Sequence, residues 1–66
     1  MNYQIGDLFC AIWDENEMYI ITGPPVKDDY LQDVHPITCM RNHRTFRYNE
    51  EGIDAMFRKV AWWTIK

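Results

Sequence analysis

Cysteine is scarce in this chain, and the two that occur are placed where no common staple can use them. Cys10 and Cys39 stand alone, with no Cys-x2-Cys and no His-x3-His anywhere. Small secreted domains rely on several bridges, and structural zinc sites usually contain a knuckle of that kind. A reduced setting follows, intracellular or inside a virion, with both thiols acting as small buried hydrophobes. No stretch approaches the roughly 20 apolar residues that span a bilayer. No basic start leads into an apolar run and a small-residue cleavage site, so neither a secretion signal nor a membrane partner is expected. Internal repeats and low-complexity segments are also missing.

Large rings are what the chain has. Apolar types make up 47% of its 66 residues and aromatics 15%. A domain this small buries only about 60% of its unfolded surface, so bulky rings supply area that a longer chain would obtain otherwise. This composition argues against disorder and for a single domain over residues 1–66. The net charge of -3 conceals a split. Through Asp33 seven acids oppose only Lys27. From Val34 onward Arg41, Arg44, Arg47, Arg58, Lys59 and Lys66 oppose Glu50, Glu51 and Asp54. Such asymmetry can steer a partner or favour self-association.

Periodicity divides the chain into short strands. "YQIGDLFCAIWD" (3–14) opens with a Gly-Asp turn and continues as a strand with apolar residues on both faces. "DENE" (14–17) reads as a turn and "MYIIT" (18–22) as the second strand of a hairpin. "GPPVKDDY" (23–30) is the longest and most mobile connection. "LQDVHPITCMR" (31–41) alternates in part, with Pro36 confining its first half to an edge or a bulge. A tight turn over 41–44, with Asn42 able to adopt positive φ, leads into "RTFRY" (44–48). There Phe46 and Tyr48 share one face and Thr45 and Arg47 the other. Asn49 is an N-cap, and Ile53, Met56, Phe57 and Val60 form one apolar stripe of a short helix. Its acids sit early and Arg58 and Lys59 late, as the helix dipole favours. Gly52 weakens it, so a 3₁₀ turn would also fit. "VAWWTI" (60–65) closes as a strand. The expected fold is mainly β: a small five-stranded antiparallel barrel with one short helix before the last strand.

Several of these stretches resemble small SH3-like barrel proteins encoded by tailed bacteriophages. The matching residues are Ile5-Gly6-Asp7-Leu8, Tyr19-Ile20-Ile21-Thr22-Gly23, Phe46-Arg47-Tyr48 and Met56-Phe57-Arg58-Lys59-Val60. The resemblance implies an SH3-like barrel of phage origin, found in the host cytoplasm or in the virion. It implies no shared active site. Pro24-Pro25 and the "AWWTIK" end depart from the pattern.

Four potential metal ligands occur, Cys10, His35, Cys39 and His43, but residues four apart on a strand lie about 13 Å apart. They read as core thiols and exposed imidazoles, and no metal or cofactor is expected. A Cys–His nucleophile would need a pocket and an orienting group that a barrel this small hardly accommodates. The paired acids Asp28-Asp29 and Glu50-Glu51 read as solvated charges, and no enzyme activity is expected. Arg41, His43, Arg44 and Arg47 with Tyr48 mix cations and a ring as single-strand binders do, which makes a nucleic-acid-binding barrel the alternative. The acidic pI near 5.1 opposes it. A protein-binding role leads. Adjacent Trp62 and Trp63 on a strand point to opposite sides, so one is expected outside the core, where Trp and Arg make typical hot spots. The expected partner-binding set is Arg41, His43, Arg44, Arg47, Tyr48, Trp62 and Trp63. The partner would be a capsid or tail subunit, a host protein, or another copy of the chain.

Overall fold

β1 (Leu8–Ala11) and β2 (Asp14–Ile21) form the first hairpin of the computed structural model, which describes residues 3–60. Gly6 provides the entry turn at φ 94°, a conformation that costs glycine little. Its N–H donates to the Ile21 carbonyl, and Ile21 N–H returns the bond to Asp7. All four β1 residues are buried, as apolar character on both faces requires. The hairpin turn falls at Ile12 and Trp13, earlier than the polar stretch suggests, because Ala11 faces Asp14 directly. Cys10 faces Met18, so the residues between Asp14 and Met18 are looped out of the ladder. The Asp14 carboxylate caps that loop by accepting the Asn16 N–H at 2.9 Å.

After β2, Gly23 passes close to Pro36; a Cβ there would meet its ring at 3.2 Å. A two-residue strand not foreseen in the sequence follows, β3 (Val26–Lys27). β4 (Asp33–Cys39) then pairs along its length with three others. β3 takes Asp33 and Val34, β2 takes Ile37 to Cys39, and β5 (Thr45–Tyr48) takes His35 to Thr38. Ile37 and Thr38 are paired on both sides, so β4 is an interior strand and Pro36 does not confine it to an edge. The proline is tolerated because it falls between the residues that β2 and β3 engage. There it offers only its carbonyl, which accepts the Thr22 N–H at 3.1 Å.

α1 (Glu50–Met56) begins at Asn49, whose side-chain oxygen accepts the Gly52 N–H at 2.8 Å. The helix ends at Met56, before Arg58 and Lys59. Phe57 turns extended at φ -133° and ψ 155° and opens β6 (Phe57–Val60). An isolated helix of two turns is marginal, whereas β6 gains a four-residue ladder with β1, from Leu8↔Val60 to Ala11↔Phe57. Arg58 and Lys59 are therefore strand residues, and the apolar stripe stops at Phe57. Of the strand expected over 60–65, Val60 alone lies within the described residues.

The described part is thus mainly β, with six strands in an antiparallel sheet and one short helix. The strand order is β3–β4–β2–β1–β6, and β5 lies beside β4. Among the described residues no ladder joins β5 to β6, so the sheet is open. Its two outer strands still meet through side chains, with the rings of Tyr48 and Phe57 5.5 Å apart. Their inner faces surround Phe9, Ala11, Tyr19, Ile21, Ile37 and Cys39, and Ile53 of α1 enters the same cluster. Tyr3 joins it from the N-terminal side, stacked edge-on to Phe9 and His35, and its hydroxyl donates to the Asp54 carboxylate.

Ile53 is fully buried at the centre of the only helix among the described residues. Truncation to alanine is expected to cost about 2–5 kcal/mol, read as a lower urea midpoint at unchanged m-value. Asn49→Ala is expected to cost about 1 kcal/mol through the lost cap, and Asn49→Asp should restore most of it.

Candidate partner-binding surface

The β4–β5 connection is a tight turn with a defined internal structure. Cys39 N–H donates to the Arg44 carbonyl at 2.8 Å and His43 N–H to the Cys39 carbonyl at 2.9 Å. The Asn42 side chain accepts the Arg44 N–H at 3.0 Å. The left-handed residue is His43, at φ 62°, and not Asn42. Asn42 serves the turn through its side-chain acceptor, which leaves the strained backbone to its neighbour. Arg41, His43 and Arg44 are all exposed on this turn.

Strand alternation then divides the rest of the expected set. Thr45 and Arg47 point to the outer face, where the Thr22, Thr38 and Thr45 hydroxyls are linked at 3.0 and 2.8 Å. Arg47 lines an open concavity of about 530 Å³ with Val26, Lys27, Asp28, Asp29 and Val34. Phe46 and Tyr48 face the other way. Tyr48 is half-buried against the core and Phe46 remains 39% exposed. The structure therefore does not bring Arg47 together with the rings of its own strand. Trp62 and Trp63 lie outside the described residues.

One cluster of rings has only Tyr48 in the expected partner-binding set. Trp13, Phe57, Tyr19, Phe46 and Tyr48 form a continuous run of rings, with neighbouring centroids 4.7 to 6.4 Å apart. Trp13 and Phe46 are its exposed members, Trp13 at 52%. Glu17 ties the run together. One carboxylate oxygen accepts the Trp13 indole N–H at 3.0 Å and the other the Tyr19 hydroxyl at 2.5 Å. These bonds, the one from Tyr19 foremost, hold the Glu17 carboxyl below the usual glutamate range, with a smaller contribution from the Arg41 charge. Burial and the same carboxylate push the Tyr19 phenol well above its ordinary value. The spacing Trp13-x3-Glu17-x-Tyr19 is the sequence signal. It becomes legible only once residues 15–17 are known to loop out.

The fold also dissolves the charge split between the chain's halves. Arg41 acts on Glu17, Arg58 lines a shallow cleft with Asp14 and Glu15, and Arg47 shares its concavity with Asp28 and Asp29. Lys27 pairs with Asp33 at 2.8 Å and Lys59 with Asp7 at 3.4 Å. Among the described residues Arg41, Arg44, Arg47 and Arg58 take part in no ion pair.

The potential metal ligands do not converge. Cys39 faces the core beside Tyr19, whereas Cys10 occupies the opposite face of β1, its sulfur 3.8 Å from the Arg58 guanidinium. Both thiols are free and buried. His35 is not an exposed imidazole: alternation on β4 sends it inward with Ile37 and Cys39, and it is 1% exposed. Its Nε2 lacks a hydrogen-bond partner and lies 3.9 Å from a Glu50 oxygen. Among the described residues no group of three or more His, Cys, Asp or Glu could hold a metal ion. No helix among them is long and apolar enough to cross a membrane. No family model, curated protein or solved structure matches the chain.

Because its folded-state value is depressed, Glu17 contributes stability above the ordinary glutamate pKa. That contribution is lost as the pH falls through the folded-state value. Side-chain NMR titration should place Glu17 below the ordinary value, and Tyr19→Phe should move it back up. An unchanged titration in that variant would contradict the assignment of the Tyr19 bond as the main cause.

Proposed function

We propose that the chain is a non-enzymatic protein-binding module of the SH3-like kind encoded by tailed phages. It docks on a protein partner through Trp13, Phe46, Arg41 and Arg44, with His43 at the edge of the contact. The observation that carries this reading is the pair of exposed rings, Trp13 and Phe46, at the rim of the continuous ring cluster. Trp, Tyr and Arg supply most hot spots at protein interfaces. Glu17 already holds the Trp13 indole in place, so less side-chain freedom is lost on binding. The SH3-like assignment is supported by the hairpin of β1 and β2, the tight β4–β5 turn and the helix leading into the last described strand. The rings of Tyr48 on β5 and Phe57 on β6 bring two edges of the open sheet near each other, which is in keeping with that reading. Such a module serves either as a virion component against capsid or tail subunits, or as a docking protein that modulates a host or phage protein.

The nucleic-acid alternative gains little from this arrangement. Arg47 is turned away from Phe46 and Tyr48, and Arg41 stands beside Glu17. Phosphate binding needs several cations on one surface.

A pulldown from host lysate, with mass spectrometry of purified particles beside it, tests the proposal. Trp13→Ala and Arg44→Glu should each weaken capture of a specific protein by about tenfold or more. Capture that both variants leave unchanged would remove this surface from the reading. Salt-dependent binding to oligonucleotides by the wild-type chain would replace it with the nucleic-acid one.

A further inference from the structure

Tyr30 and Leu31 are 84% and 77% exposed, more than any other large apolar side chain among the described residues. They sit at the tip of the β3–β4 hairpin, where the connection expected to be mobile (23–30) meets the stretch 31–41. The tip is instead tied together by one residue. The Asp28 carboxylate accepts the N–H groups of Tyr30 and Gln32 at 2.8 and 2.9 Å. The backbone of Asp28 accepts from Leu31 and donates to Gln32. Within these bonds Leu31 is held at φ 61°, a conformation that disfavours residues with a branched side chain. Strain held by a closed set of hydrogen bonds, on a residue that buries nothing, points to a use for the presented side chain.

Beside the tip lies the concavity lined by Val26, Val34, Arg47, Lys27, Asp28 and Asp29. Lys27 is already paired with Asp33, and Asp28 is engaged by the turn. Among the described residues Arg47 and Asp29 have no ion-pair partner. The β3–β4 hairpin and the neighbouring β5 together therefore offer an apolar prong, a concavity with two valines in its lining, one uncommitted cation and one uncommitted anion.

We infer that this hairpin pairs with its counterpart on a second copy of the chain. In an antiparallel two-fold arrangement Tyr30 and Leu31 of each copy enter the concavity of the other. Arg47 of each copy then meets Asp29 of the other. Because prong and socket lie side by side on each copy, the two-fold axis makes the contact reciprocal and closes it at two copies. A partner of a single charge sign would satisfy only one of the two uncommitted groups. The dimer uses the Thr45 and Arg47 side of β5, so it leaves Trp13 and Phe46 free and does not depend on the function proposed above.

The experiment is sedimentation velocity on the full chain from micromolar to millimolar concentration. A monomer–dimer equilibrium is expected, weakened about tenfold or more by Leu31→Asn, since each substitution acts twice by symmetry. Asparagine takes positive φ readily, so this variant keeps the turn while removing the prong. Arg47→Glu and Asp29→Arg should each be monomeric alone. An equimolar mixture of the two should restore the dimer, because each reversed charge then meets its opposite. A monomer at every concentration, a dimer indifferent to Leu31→Asn, or a mixture that stays monomeric would overturn the proposal. Circular dichroism of each variant, matching the wild-type spectrum, confirms that the fold is intact.

Discussion

The pairing of β4 is the constraint on which the rest of the structure depends. This one strand carries ladders to β2, β3 and β5. Its inward residues, His35, Ile37 and Cys39, form the floor of the core. A slip of one residue would exchange that floor for Pro36 and Thr38 and take Ile37 and Cys39 out of the core. It would also turn Arg47 inward and Phe46 and Tyr48 out to solvent, because their alternation on β5 is inherited from β4. The candidate surface is therefore a consequence of the register that buries Ile37.

The second constraint is the way the sheet ends. Phe57 leaves the helix to join β1, and its ring then touches Trp13, Tyr19 and Tyr48. The ring run exists because β6 returns to β1 while α1 spans from β5. A longer helix would carry Phe57 past Tyr48 and leave Trp13 without its neighbour. Fold and surface share the same aromatic residues. In a chain with so little core to spare, the exposed rings of Trp13 and Phe46 rest on rings that already serve the core.

Charge shows how far a linear reading can diverge from a surface. Acids dominate up to Asp33 and bases afterwards, which suggests two opposed patches. Antiparallel pairing brings the early and late segments side by side, so Arg41, Arg47 and Arg58 each stand near acids of the first half. What survives is a set of local imbalances: unpaired arginines on a turn and in a concavity, beside exposed rings.

The sequence by itself determined the class of structure, most of the strand positions, the Asn49 cap and the split of Phe46 and Tyr48 from Thr45 and Arg47. These follow from period-2 alternation and from side chains that bond to their own backbone, both local properties. It also pointed to the exposed Arg41, His43 and Arg44 turn. Only the tertiary structure decided where the first turn falls, that Pro36 lies inside an interior strand, that β3 exists and that the helix stops at Met56. Each is a contest between a local preference and a ladder with a distant partner, and the ladder wins by satisfying more backbone groups. The tie from Glu17 to Trp13 and Tyr19 and the presentation of Tyr30 and Leu31 belong to the same class. They depend on a looped-out segment and on a turn closed by Asp28, which no periodicity reports.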